Sequence, residues 1–164
     1  MRELEYPFDS EWILKKAKSI KKTLLSDGTT RIKKKIAVLG GSTTHDVIKI
    51  LELFLLHYGI EPSFYESEYG QYWQDAMFDN PELAEFAPDL IYIHTTNRNI
   101  AEYPAVGDSR EKTEQLLKDT YEHFRVMWEK LKETYGCVII QNNFEFPYYR
   151  LLGNMDAVNP NGRV

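Results

Sequence analysis

The side chains able to do chemistry sit in short polar runs that each follow an apolar one. Gly40-Gly-Ser-Thr-Thr44 follows Ile36-Ala-Val-Leu39, and Thr95-Thr-Asn-Arg-Asn99 follows Leu90-Ile-Tyr-Ile-His94. Gln141-Asn-Asn143 follows Cys137-Val-Ile-Ile140. A serine nucleophile needs a base to take its proton and donors to hold an oxyanion. Ser42 is the candidate nucleophile, and the Gly70 backbone amide and Asn97 are the candidate donors. No base is assigned: His45 lies one turn into the next helix, His94 alternates along a strand, and His57 and His123 sit on helices remote in sequence. Gly40, Gly41, Thr43, Thr44, Tyr69, Arg98 and Asn142 are the substrate-binding candidates. The glycine turn also reads as a phosphate cradle at a helix N-terminus, or as plain strand-to-helix turn chemistry. It lacks the Gly-x4-Gly-Lys-[Ser/Thr] spacing of a P-loop and is not a dinucleotide fingerprint. No Cys/His cluster suggests zinc, and Asp46, Glu66, Glu68 and Asp75 are too scattered for a metal site, so no metal ligand is assigned.

These runs need elements to hold them. Residues 9–25 read as a helix capped by Asp9 or Ser10, with Trp12, Ile13, Ala17, Ile20, Leu24 and Leu25 at helical spacing. Lys15, Lys16, Lys18, Lys21 and Lys22 occupy its other face, and with Arg31, Lys33, Lys34 and Lys35 they make a basic zone. That zone reads as a solvated surface or as a dock for an acidic partner, such as an acyl carrier protein or a phosphorylated ligand. A strand follows over Ile36 to Leu39. Gly40 and Gly41 suit positive φ or a close ligand approach, and a hydroxyl of Ser42, Thr43 or Thr44 is expected to cap the next helix. That helix is apolar nearly all round from Val47 to Leu56, which predicts burial on most sides. Further strands are expected at 60–66, 90–94 and 137–140. A short helix lies after Gly70, another starts at Pro81, and a long one covers 109–135 with Leu116, Leu117, Tyr121, Phe124, Met127, Trp128 and Leu131 as its buried stripe.

The alternation predicts an α/β fold: a three-layer, doubly wound parallel sheet of flavodoxin-like type, preceded by an N-terminal helix. In such sheets ligands bind beyond the carboxyl ends of the strands. The domain reading is 1–33 for the helix and basic lead-in, 34–155 for the α/β domain, and 156–164 for a linker or truncated end. A three-layer domain would normally finish with another strand and helix, so its C-terminal part is expected to lie beyond Val164.

At 164 residues the chain is long enough for one domain with a real core. Its net charge of -5 argues against nucleic acid as the main partner, and the single Cys137 excludes a disulfide framework and fits a reducing cytosol. No apolar signal core opens the chain and no run approaches a membrane span, so the expected location is cytoplasmic. Eleven Tyr, eight Phe and three Trp cluster at 64–78 and 144–149, as core and rim residues or as the walls of half-exposed pockets.

Four segments in order carry a resemblance. Ile36-Ala-Val-Leu-Gly-Gly-Ser-Thr-Thr44, Tyr65-Glu-Ser-Glu-Tyr-Gly-Gln-Tyr72, Ala87-Pro-Asp-Leu-Ile91, and Gln141-Asn-Asn-Phe144 with Pro147-Tyr-Tyr-Arg-Leu-Leu-Gly-Asn154 together resemble the N-terminal region of FkbH-like proteins. In that family the region is similar to SGNH hydrolases and precedes a haloacid-dehalogenase (HAD) phosphatase-type domain. The resemblance implies an SGNH-like fold whose attached domain handles a phosphorylated three-carbon unit and loads a glyceryl group onto an acyl carrier protein. Polyketide, polysaccharide and lipid assembly are the implied settings. Ser42 matches the SGNH serine, Gly70 its block-two glycine and Asn97 its block-three asparagine. Gly41 stands where Asp is usual, and Thr-Thr-Asn-Arg replaces Gly-x-Asn-Asp. Neither the late Asp-x-x-His nor the HAD Asp-x-Asp occurs in these residues. The implied domain is inactive alone, needs no cofactor itself, and leaves Mg to the attached HAD domain. Its implied partners are that domain, an acyl carrier protein and a small-molecule or acyl substrate.

Overall fold

Four apolar segments become four parallel strands, in a computed structural model that describes residues 1–162. They are β1 (Ile32–Gly40), β2 (Ile60–Glu66), β3 (Leu90–His94) and β4 (Val138–Gln141), in the sheet order β2-β1-β3-β4. The helices are α1 (Ser10–Leu25), α2 (His45–His57), α3 (Tyr72–Met77), α4 (Pro81–Phe86) and α5 (Arg110–Tyr135). Arg163 and Val164, the end of the expected 156–164 segment, lie outside the described residues. The fold is the expected α/β three-layer arrangement, with a parallel sheet flanked by helices on both faces.

Local chemistry sets the helix ends. The Asp9 carboxylate accepts from the Trp12 amide, the Ser109 hydroxyl from Lys112 and the Asn80 side chain from Leu83, next to Pro81 at the first position of α4. Gly136 ends α5 at φ 62°, a conformation that costs other residues Cβ strain. The expected hydroxyl cap of α2 is absent. Thr44 is its N-cap residue, but the side chain makes no capping bond and donates instead to the Glu66 carboxylate at 2.8 Å.

One face of the sheet is closed. Ala37 and Leu39 of β1 and Ile91 and Ile93 of β3 pack under α3, α4 and α5, against Leu83, Phe124, Met127 and Leu131. Each of these Leu, Ile, Phe and Met side chains contributes about 1.5–3 kcal/mol by burial. The other face carries α2, and α1 packs on α2 through Ile13, Ile20, Leu24, Leu53 and Leu56, with Leu4 from the N-terminal turn. The expectation that α2 is buried on most sides is corrected: only Leu53 and Leu56 are fully buried. Val47, Leu51 and Leu55, at i, i+4, i+8, instead line an apolar groove of about 280 Å³ with Ile36, Leu90, Tyr92 and Ile140. The helix is apolar all round because α1, the sheet and this groove each take a side. The stripes of α1 and α5 are narrower than expected as well, since Trp12, Leu25, Leu117 and Tyr121 are exposed.

Candidate functional site

The strand carboxyl ends bring together residues 40–44, Glu66, residues 95–99 and residues 141–143. The Gly41 amide donates to the His94 carbonyl at 2.8 Å, which continues the β1–β3 ladder into the turn. Asn99 then clamps the turn: its Nδ2 donates to the Gly41 carbonyl at 3.2 Å, and its Oδ1 accepts from the Thr96 amide at 2.8 Å. A Cβ on Gly41 would lie 2.5–2.6 Å from the Asn99 side chain, so this glycine is required by the chain's own asparagine. Neither Gly40 nor Gly41 has positive φ. A Cβ on Gly40 would meet Thr44 Cγ2 at 2.8 Å.

A second set of bonds closes the β3–β4 side. Thr95, fully buried, gives its amide to Asn142 Oδ1 at 3.0 Å and receives Asn142 Nδ2 on its carbonyl at 2.8 Å. Gln141 Nε2 donates to the Thr95 hydroxyl at 2.9 Å while Gln141 Oε1 accepts from Trp128 Nε1 at 2.6 Å. The buried amide, carbonyl and hydroxyl of Thr95 thereby each have a partner, without which such a group would cost about 1–3 kcal/mol. Asn97 is turned toward the tail. Its Nδ2 donates to the Glu145 carbonyl and its amide to the Glu145 carboxylate, both at 3.3 Å, and its carbonyl accepts the Tyr103 hydroxyl at 2.8 Å.

Ser42 is half-buried and Thr43 exposed at the rim of this set. Arg98 and Tyr69 are exposed, Tyr69 at 76 %. Gly70 sits at φ 73° in the turn after β2, where it makes no hydrogen bond to residues 40–44 or 95–99 among the described residues. The four histidines are placed elsewhere than on the Ser42 hydroxyl. His45 Nδ1 lies 3.4 Å from Glu66 Oε2, His94 Nδ1 pairs with the Tyr92 hydroxyl, and His57 Nδ1 meets the N-terminal amine. His123 stacks on Trp73. Burial pushes the Tyr92 phenol and the Cys137 thiol up and His123 down.

The structure therefore gathers Gly40, Gly41, Ser42, Thr43, Thr44 and Asn142 at one end of the sheet and leaves Gly70 and Tyr69 on a separate turn. Sequence reasoning missed Asn99 and Glu66. Asn99 had a signal in Thr96-x-x-Asn99, a capping-box spacing in which both reciprocal bonds are present. Glu66 had none, since its role depends on the β1–β2 register that sets Glu66 beside Val38. Among the described residues, no group of three or more His, Cys, Asp or Glu side chains is placed to hold a metal ion. No described helix is long and apolar enough to cross a membrane.

Fold and strand-end site define an α/β three-layer domain with a cluster of polar residues at the carboxyl end of a parallel sheet. Among solved structures it is similar to the N-terminal part of the protein BF1531 from Bacteroides fragilis, which contains a phosphatase domain and was crystallised with Mg. The TM-score is 0.66 at 18 % identity, over 89 % of this chain and 38 % of that one. The chain thus spans well under half the length of this neighbour, and the likeness is one of fold. Ornithine transcarbamoylase from Giardia lamblia aligns with a TM-score of only 0.34 at 11 % identity, over 84 % of this chain and 34 % of that one. No protein-family model and no curated protein matches the sequence.

Proposed function

We propose that this chain is an SGNH-like positioning domain of the FkbH-like kind, which holds an acidic acyl carrier protein beside a glyceryl- or phosphoryl-transfer domain. The observation that carries this reading is the charge split. Residues 12–35 hold nine Lys or Arg and one acid, a local +8 in a chain of net -5. Lys15, Lys18 and Lys22, at i, i+3, i+7 on the outer face of α1, are exposed and have no ion-pair partner among the described residues. By contrast Lys21 pairs with Glu52, Arg31 with Asp27 and Lys34 with Asp89. Trp12 and Leu14, 40 % and 39 % exposed, add apolar contact on the same helix. A patch of this kind steers an acidic partner into contact. The phosphatase domain in the fold neighbour agrees with an attached transfer domain, whose Mg would be held there.

The strand-end asparagines support a domain without chemistry of its own. Asn97 and Asn99 each give one side-chain N–H to a main-chain carbonyl and Asn142 gives both of its own, so these amides are held by the chain's own turns. The competing reading is a Ser42-dependent esterase or acyltransferase, favoured by His45, whose exposed ring is held on Glu66 at the same end of the sheet. A phosphate site on the amides of residues 41–44 is opposed by Glu66, which places a carboxylate on the Thr44 hydroxyl. Labelling with a fluorophosphonate separates the first two. No labelling of the wild type, with carrier-protein binding unchanged in Ser42→Ala, is expected. Labelling that disappears in Ser42→Ala would replace the positioning role with a hydrolytic one.

A further inference from the structure

His123 differs from the other three histidines. Those each have a hydrogen-bond partner, while the nitrogens of His123 have none among the described residues. Its ring is nonetheless held firmly, flat against Trp73 (centroids 3.8 Å apart, planes at 12°) and edge-on to Phe124 at 5.3 Å. Stacking fixes the ring plane and leaves the nitrogen edge for something else.

That ring helps to line a cavity of about 220 Å³ between the loop after β3 and α5. The volume is far above the ~10–15 Å³ that a single water needs. Leu116 and Phe124 line it with apolar surface, and Glu102 and Asp119 bring carboxylates. Glu102 pairs with Lys112 at 3.2 Å, and Asp119 accepts from Gln115 at 2.7 Å. Asn99, the clamp of the Gly41 turn, lines the same cavity.

We propose that this cavity binds a small cationic hydrogen-bond donor of the amino-alcohol type, which gives hydrogen bonds to His123 and takes its charge complement from Asp119. An anionic ligand would meet the Asp119 carboxylate, while Glu102 and Lys112 are taken up by each other. Burial holds His123 below the ordinary histidine range, so at neutral pH its ring is uncharged and offers an acceptor lone pair. A short carbon chain would rest on Leu116 and Phe124. Because Asn99 touches both cavity and turn, occupancy is felt at Gly41.

The site is independent of the lysine face, because α5 covers the opposite side of the sheet from α2 and α1. The probe is ethanolamine, with phosphoethanolamine as its anionic counterpart, each titrated into the ¹⁵N-labelled chain and followed by NMR. Saturable shifts at Asn99, Thr120 and His123 with ethanolamine, in roughly the millimolar range, and none with phosphoethanolamine, are expected. His123→Phe keeps the stack and should weaken binding at least about tenfold, or ~1.4 kcal/mol. Thr120→Leu fills the cavity and should abolish it, with the rest of the spectrum unchanged. No saturable shift in the wild type, equal binding by both probes, or binding retained in both variants would overturn the proposal.

Discussion

The two faces of the sheet are closed to different degrees, and the difference separates what holds the fold from what is left open. On one face Met127 and Leu131 of α5 are completely buried over Ile91 and Ile93. On the other, Leu51, Leu55 and Tyr92 are only half covered, and Ile140 at the β4 edge is 48 % exposed. The same side-chain types do unequal work. A methyl group in the closed face has protein on every side, whereas in the groove it faces water on one.

Mutations can break or sharpen this contrast. Met127→Ala or Leu131→Ala should lower unfolding free energy by about 2–5 kcal/mol, since each leaves a cavity in a packed layer. Urea denaturation measures this, and a loss comparable to that of a groove substitution would erase the distinction. Asn99→Ala should cost about 1–3 kcal/mol, because the Thr96 amide and the Gly41 carbonyl both lose their partner. Amide hydrogen exchange at Thr96 should accelerate with it. Ile140→Lys, in the open groove, should shift stability by no more than ~0.5 kcal/mol.

His123 adds a pH test on the closed side. Its pKa is depressed by burial, so between that lowered value and the ordinary value of about 6.5 the unfolded chain binds more protons than the folded one. Stability should therefore fall as pH drops through this window. His123→Phe should remove that fall while keeping a ring on Trp73, as urea midpoints at pH about 5 and about 7.5 would reveal.

Much of the scaffold was legible because its signals are local. Asp9, Asn80-Pro81, Ser109 and Gly136 mark helix ends through their own chemistry, and the parallel sheet follows from short apolar runs that alternate with helical ones. The site was legible only as a place. The Thr96-x-x-Asn99 spacing marks Asn99 as a capping residue, but nothing local turns Asn97 toward the tail, which depends on Glu145, 48 residues away along the chain. The periodicity of α1 and α5 likewise marks which residues share a face. It does not say how wide a neighbour covers that face, which is why Trp12, Leu117 and Tyr121 are exposed.

The most direct measurement is calorimetric titration of an acyl carrier protein into the wild type and into the triple variant Lys15→Glu, Lys18→Glu, Lys22→Glu. Binding by the wild type that weakens at least about tenfold in the variant, and that fades with added salt, is the predicted result. No binding by the wild type, or equal affinity in both, would contradict the role of α1 as the docking surface.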